Sequence, residues 1–212
     1  RGGRLMFEPR VALASLSGEA DAAWARAGSD HAGAAFLGGV VLDEATREAA
    51  RKLVARDREE FLPDDPLVFV EDQLDTLSEV PIRPGVNVRS ATLEPIADAA
   101  RICAEHDAIL EINAHCRQTE MCEVGCGESL LRDTGRLCDY VDVASDAGAA
   151  VSVKVRTEVS GVDLVEIAQE IDAAGANAVH VDAMDTESVV ADVVDAAPDL
   201  FVVANNEVRD RE

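Results

Sequence analysis

VSVKVR, residues 151–156, alternates three valines with a serine, a lysine and an arginine. Successive side chains of a strand point to opposite faces, so Val151, Val153 and Val155 share one face and Ser152, Lys154 and Arg156 the other. Strands of a doubly wound sheet are more often apolar on both faces. One apolar face and one polar, charged face suits a barrel, with helices packed outside and functional groups turned toward the lumen mouth. Working outward, short apolar segments recur at Val11–Ala14, Ala34–Leu37, Gly85–Val88, Ile109–Ile112, Ala178–Val181 and Leu200–Val203. Alanine-rich stretches with helical spacing lie between most of them. Asp65–Pro66 reads as an N-cap with proline at the first helical position, followed by Leu67, Val70, Leu74 and Leu77 on one face. Leu164, Ile167, Ala168 and Ile171 repeat the pattern, with Gly175 as the stop.

Strand starts mostly fall some 23–27 residues apart, the period of a β–α unit. Two gaps are wider, one with room for two helices and one holding a cysteine-rich loop. No Gly-x-Gly-x-x-Gly opens a helix after the first strand, which further weakens a Rossmann arrangement. The expectation is an α/β chain folded as a (β/α)₈ TIM barrel, with residues 1–212 forming one domain. Seven strands are counted where eight are required, so the eighth unit is expected to be missing or truncated in this chain.

The 212 residues are long enough to bury a sizeable core, and the 48% hydrophobic content fits a globular protein. No apolar run is long enough to span a bilayer, and RGGRLMFEPR at the start lacks the apolar centre of a signal peptide, so a cytoplasmic location is expected. Forty-two acidic residues face 19 basic ones, a net charge of −23, and Lys52 and Lys154 are the only lysines. Acid spread over the whole chain suggests a solvated shell suited to high salt, where the screening length falls to about 3 Å at 1 M. A halophilic source is the expectation. The basic footprint normal for a nucleic-acid binder is missing. Its absence counts for less in molar salt, where counterion competition already reduces phosphate contacts.

The chemistry gathers at strand ends. Ile109–Asn113 opens as an apolar strand and runs into Asn113, His115, Cys116 and Arg117, placing an amide, an imidazole, a thiol and a guanidinium beyond the carboxyl end of a parallel strand, where such sheets keep their active sites. Cys103, Cys116, Cys122, Cys126 and Cys138 form an odd set, which argues against a disulfide framework. The C-x₅-C-x₃-C spacing of Cys116, Cys122 and Cys126 matches neither common zinc pairs nor a ferredoxin run, so no metal is expected and Cys116 is read as a single functional thiol. Lys154 sits inside a valine strand, where a buried ammonium is costly without a partner. Either an anionic ligand or a neighbouring carboxylate would serve. Asn87, in GVNVRS, shares a face with Arg89. His180 ends the sixth strand, Ala12–Gly18 ends the first in small residues, and Asn205 and Asn206 end the seventh.

Together these strand ends resemble the tRNA-dihydrouridine synthase family, flavin enzymes on a (β/α)₈ barrel, over essentially the whole chain. Ala14–Ser15–Leu16 followed by Asp21 is similar to the family's Ala-Pro-Met…Asp motif at the flavin. Asn87 falls at a flavin-contacting Gln. INAHCR resembles Asn-x-Gly-Cys-Pro, which makes Asn113 the flavin-site Asn and Cys116 the catalytic cysteine. GCGESLL (125–131) matches Gly-x-Gly-x-x-Leu-Leu, VSVKVR puts Lys154 at the flavin-contacting Lys, VHVD puts His180 at the flavin-contacting His, and VVANN maps Asn205 near the phosphate. The chain departs from the family pattern at His115 and Arg117, which stand for Gly and Pro, and after His180, where Val-Asp stands for Gly-Arg. It is most similar to a divergent, short archaeal branch that also resembles dihydroorotate and dihydropyrimidine dehydrogenases.

The resemblance implies FMN as cofactor, NADPH or NADH as electron donor, and reduction of a uracil 5,6-double bond, with Cys116 as the general acid. The implied substrate is a uridine in tRNA. A free pyrimidine is the alternative, and a barrel that has lost its flavin and only binds is the alternative of another class.

Overall fold

The computed structural model describes residues 6–184 and 186–206. Seven parallel strands alternate with helices in chain order and pair strictly with their sequence neighbours, making a nearly closed barrel. They are β1 (Ala12–Leu13), β2 (Ala34–Val41), β3 (Arg83–Arg89), β4 (Ile109–Asn113), β5 (Ala150–Arg156), β6 (Ala178–Asp182) and β7 (Phe201–Asn205). The helices are α1 (Ala22–Gly28), α2 (Glu44–Val54), α3 (Pro66–Leu77), α4 (Glu94–Glu105), α5 (Thr119–Glu123), α6 (Thr134–Asp146), α7 (Leu164–Ala173) and α8 (Ser188–Ala196). The two wide gaps hold α2 with α3, and α5 with a 3₁₀ turn (Gly127–Arg132) before α6. Among the described residues β1 and β7 are not paired with each other, and this seam is where an eighth unit would stand. No helix of the described residues is long and apolar enough to cross a membrane.

Alternation along the strands builds two interiors. The outward residues, including Val86, Val88, Leu110, Ile112, Val151, Val153, Val155, Val179 and Val181, pack with Ile96, Leu137, Tyr140, Ile167 and Ile171 of the helices into the main core. Each such side chain contributes about 1.5–3 kcal/mol when removed from water. Inward residues grade along the lumen axis. Met6, Phe7, Phe36, Ile109 and Ala178 close the lower end. Above them the register aligns Asn87 with Glu111 and Glu111 with Ser152, and the next row aligns Asn113, Lys154 and His180. Arg156, Asp182 and Asn205 form the row at the mouth.

Part of the acidic excess serves helix starts. Asp21, Asp43, Asp65, Asp133 and Asp163 each accept a backbone N–H at the N-terminus of α1, α2, α3, α6 and α7, satisfying donors that have no partner within the helix. Asp65–Pro66 caps α3 as its sequence predicts, and Gly175 has the positive φ of 101° that a residue ending a helix requires. The first strand is shorter than its apolar run suggests. Val11 lies outside it and is exposed, because β1 pairs with β2 alone.

Candidate active site

Every predicted polar site residue sits at or just below the carboxyl end of the sheet, because the strands run in parallel and carry their polar residues on the inward face. Glu111 is the hub. It is fully buried, its Oε1 accepts from Asn87 Nδ2 at 2.7 Å, and its Oε2 lies 2.8 Å from His180 Nδ1 and 3.4 Å from Ser152 Oγ. Burial alone would push its carboxyl up. The interaction with His180, including its hydrogen bond, the Lys154 charge and the hydrogen bond from Asn87 outweigh that and hold it below the usual carboxylate range. Asn113 donates through Nδ2 to Asn87 Oδ1 at 2.9 Å, while its own Oδ1 accepts from the backbone N–H groups of Cys116 at 3.0 Å and His115 at 3.3 Å. An Asx turn of this kind is how an amide steers the chain leaving a strand.

Cys116 is buried, and its loop is clamped from below. Its carbonyl accepts from the backbone N–H of Glu128, and Gly127 lies so close that a Cβ there would stand 2.1 Å from that oxygen. The thiol lies at a cavity of about 360 Å³ at the barrel mouth, lined also by Arg58, Glu60, Arg89, His115, Arg117, Arg156 and Asp182. Burial pushes the Cys103 and Cys126 thiols up to about 12, which keeps them protonated and inert. Arg89 closes one wall in a buried pair with Glu60 at 2.7 Å and also donates to Ser17. His115 Nε2 lies 3.4 Å from Asp182 Oδ2. Burial first, then the nearby Lys154 charge, depresses this histidine to about 3, so it is neutral at neutral pH.

Lys154 is buried and has no ion pair within 4 Å among the described residues, although carboxylates are plentiful elsewhere. A second, larger cavity of about 770 Å³ opens along the β1–β7 seam and is lined by Ala14, His180 and Asn205. His180 Nε2 and Asn205 Oδ1 are buried without a partner among the described residues.

The structure thus joins Asn87 and His180 through one buried carboxylate, ties Asn113 to Asn87 and the Cys116 backbone to Asn113, sets Lys154 level with Asn113 and His180 in register, and puts Ala14 and Asn205 on the adjoining cavity. Ser15 and Leu16 lie just past β1 in the turn that leads to Asp21, with Leu16 48% exposed, and neither joins the polar cluster. Asp21 caps α1. Of the three cysteines in the motif, Cys122 reaches the Cys116 carbonyl, and Cys126 packs with Cys116 in one apolar cluster. Among the described residues no group of three or more His, Cys, Asp or Glu could hold a metal ion. Sequence reasoning missed Glu111, Glu60 and Asp182. A charge inside an apolar strand, the signal that marks Lys154, is equally present at Glu111 in ILEIN, whereas Glu60 lies in a loop with no local signal.

An uncharacterized protein of Methanocaldococcus jannaschii is 28% identical over 152 residues, which is 71% of this chain and 59% of that protein, so the chain spans less than two thirds of this curated relative. A 2,3-dimethylmalate lyase of the PEP mutase/isocitrate lyase superfamily superimposes with a TM-score of 0.58 at 14% identity, covering 92% of this chain and 66% of that one, a likeness of fold. The sequence model of the dihydrouridine synthase (Dus) family matches residues 71–205. That span takes in strands β3 to β7 with Asn87, Asn113, Cys116, Lys154, His180 and Asn205, more than half of the chain, and the chain belongs to the dihydrouridine synthase family.

Proposed function

We propose that residues 1–212 form one flavin-binding domain, an FMN-dependent oxidoreductase that reduces the 5,6-double bond of a uracil ring, with uridine in tRNA as substrate and NADPH or NADH as electron donor. The observation that carries this reading is that Asn113 holds the Cys116 backbone N–H and aligns across the sheet with Lys154, a buried lysine without an ion pair among the described residues, while two orphaned buried polar atoms, His180 Nε2 and Asn205 Oδ1, belong to residues lining the seam cavity. A flavin fits these residues. Lys154 offers a cation to an electron-rich ring edge, His180 Nε2 and Asn205 Oδ1 offer hydrogen-bonding atoms with no protein partner among the described residues, and Ala14 leaves the cavity wall open to a flat ring.

FMN, when bound and reduced, supplies hydride to one carbon of the double bond. The Cys116 thiol gives its proton to the neighbouring carbon, where negative charge would otherwise build up, and the thiolate takes a proton back from solvent. Asn113 holds the loop that carries the thiol. Arg58, Arg89, Arg117 and Arg156 at the mouth outnumber Glu60 and Asp182 there, a local positive excess in a chain of net charge −23, which supports a phosphate-bearing substrate over a free base. The acidic surface as a whole favours the second reading, a free pyrimidine.

The test is the visible absorption spectrum of protein purified in molar KCl with excess FMN and then desalted at constant salt. A retained flavin spectrum is expected, with tRNA rather than free pyrimidine oxidising the reduced enzyme. Oxidation by the free base alone would exchange the substrate for dihydropyrimidine or dihydroorotate chemistry. A colourless folded protein would leave a barrel that binds without flavin.

A further inference from the structure

The polar side chains of the lumen form a hydrogen-bond chain whose direction is fixed at both ends. One end is the backbone N–H of Cys116, which can only donate, so Asn113 must turn Oδ1 toward it and Nδ2 toward Asn87. Asn87 then accepts through Oδ1 and has only Nδ2 left for its other neighbour, Glu111. The other end is the Glu111 carboxylate, which can only accept. Its second oxygen lies 2.8 Å from His180 Nδ1, so that nitrogen must carry the proton. All these side chains are between 0% and 3% exposed, so water cannot stand in for any of them. His180 Nε2, buried and unpartnered among the described residues, is left at the wall of the seam cavity.

We infer that Glu111 is a positioning residue: its carboxylate sets at once the direction of the amide pair that anchors the Cys116 loop and the proton position on His180, so that Nε2 is the atom presented to a ligand in the seam cavity. The inference rests on the reading of Cys116 and His180 as site residues, and its first test needs neither cofactor nor substrate, so the two can fail separately.

Glu111→Gln makes a forced prediction. The Cys116 end of the chain cannot reverse, so the new amide must offer its oxygen to Asn87, which leaves its NH₂ facing His180. Nδ1 must then give up its proton and Nε2 must take one. The experiment is a two-bond ¹⁵N–¹H correlation spectrum of the histidine-labelled full chain, with His180 assigned by its loss in His180→Gln. In the unsubstituted protein Nδ1 of His180 is expected to be protonated, and in Glu111→Gln the proton is expected on Nε2 alone. FMN titration should show affinity about tenfold weaker in the variant, as expected when one buried acceptor becomes a donor facing the ligand. An unprotonated Nδ1 in the unsubstituted protein overturns the inference, whether or not the variant folds. A variant that loses thermal stability but keeps the original proton position, or binds FMN unchanged, would make Glu111 a structural residue only.

Discussion

Replacing Glu60 by glutamine should destabilise the protein by about 3 kcal/mol, whereas the same change at the exposed Glu44 should leave stability almost unchanged. The two carboxylates make equally short ion pairs, 2.7 Å to Arg89 and 2.7 Å to Arg51. Their surroundings differ. Glu60 and Arg89 are 2% and 4% exposed, Glu44 and Arg51 76% and 44%. At this separation Coulomb attraction is about 1.5 kcal/mol in water and about 6 kcal/mol at an effective dielectric near 20. Dehydration of both ions cancels part of the larger figure, but in Glu60→Gln the Arg89 charge stays buried with only Ser17 and a neutral amide to face, and with its Nε already lacking a partner among the described residues. Typical losses for half of a buried pair are about 3–5 kcal/mol. Urea unfolding at several KCl concentrations is the assay. The Glu60 effect should change little with salt, because buried charges are screened weakly, and the Glu44 effect should vanish. Removing both charges, as Glu60→Leu with Arg89→Met, should recover much of the loss. If Glu60→Gln costs no more than Glu44→Gln, the pair is hydrated in solution and does not hold the 55–65 loop over the barrel mouth.

Cys116→Ser should slow substrate reduction by about two to four orders of magnitude in single-turnover kinetics while flavin stays bound, since a general acid contributes on that scale; undiminished turnover would remove the thiol from the mechanism. Lys154→Met should weaken FMN binding or lower the flavin reduction potential, read by titration and spectroelectrochemistry, and no change in either would make Lys154 a packing residue. Gly127→Ala puts a methyl group 2.1 Å from the Cys116 carbonyl at a φ of 62°, so the loop must move; a drop of more than about 1–3 kcal/mol in urea stability is expected, together with altered alkylation of Cys116. Asp43 is pushed up by burial, but hydrogen bonds from Ser90, Thr46 and Ala91 hold it below its ordinary 3.8. Its contribution is therefore complete above about pH 5 and fades as pH falls through the ordinary and then the lowered folded value. The stability gap between the unsubstituted protein and Asp43→Asn, about 1–2 kcal/mol at neutral pH, should persist to about pH 5 and shrink below about pH 4.

Strand placement was legible because alternation is local. All seven apolar runs became strands, and the two faces of VSVKVR became the helix-packed core and the lumen. The Asp65–Pro66 start and the Gly175 stop are equally local. The site was only half legible. Asn113, Cys116 and Lys154 announce themselves as polar residues at apolar strand ends, but what they do together depends on register between strands. The alignment of Asn87 with Glu111, and of Asn113 with Lys154 and His180, belongs to pairings 24 to 41 residues apart in sequence. Glu60 reaches Arg89 from a long loop, and no periodicity marks that meeting.

The unequal covering of the strands gives the two parts of the site different lifetimes against local opening. Every residue of β2, β4 and β6 is buried, whereas every residue of β1 and β7 is only half-buried. Amide exchange should therefore begin at the first and last strands and reach the centre only with global unfolding. Ala14 and Asn205 stand at the early-opening margin, while Asn87, Asn113 and Lys154 belong to the late-opening centre. The grip on one end of a bound molecule can thus be released and renewed many times while the cysteine's scaffold stays closed.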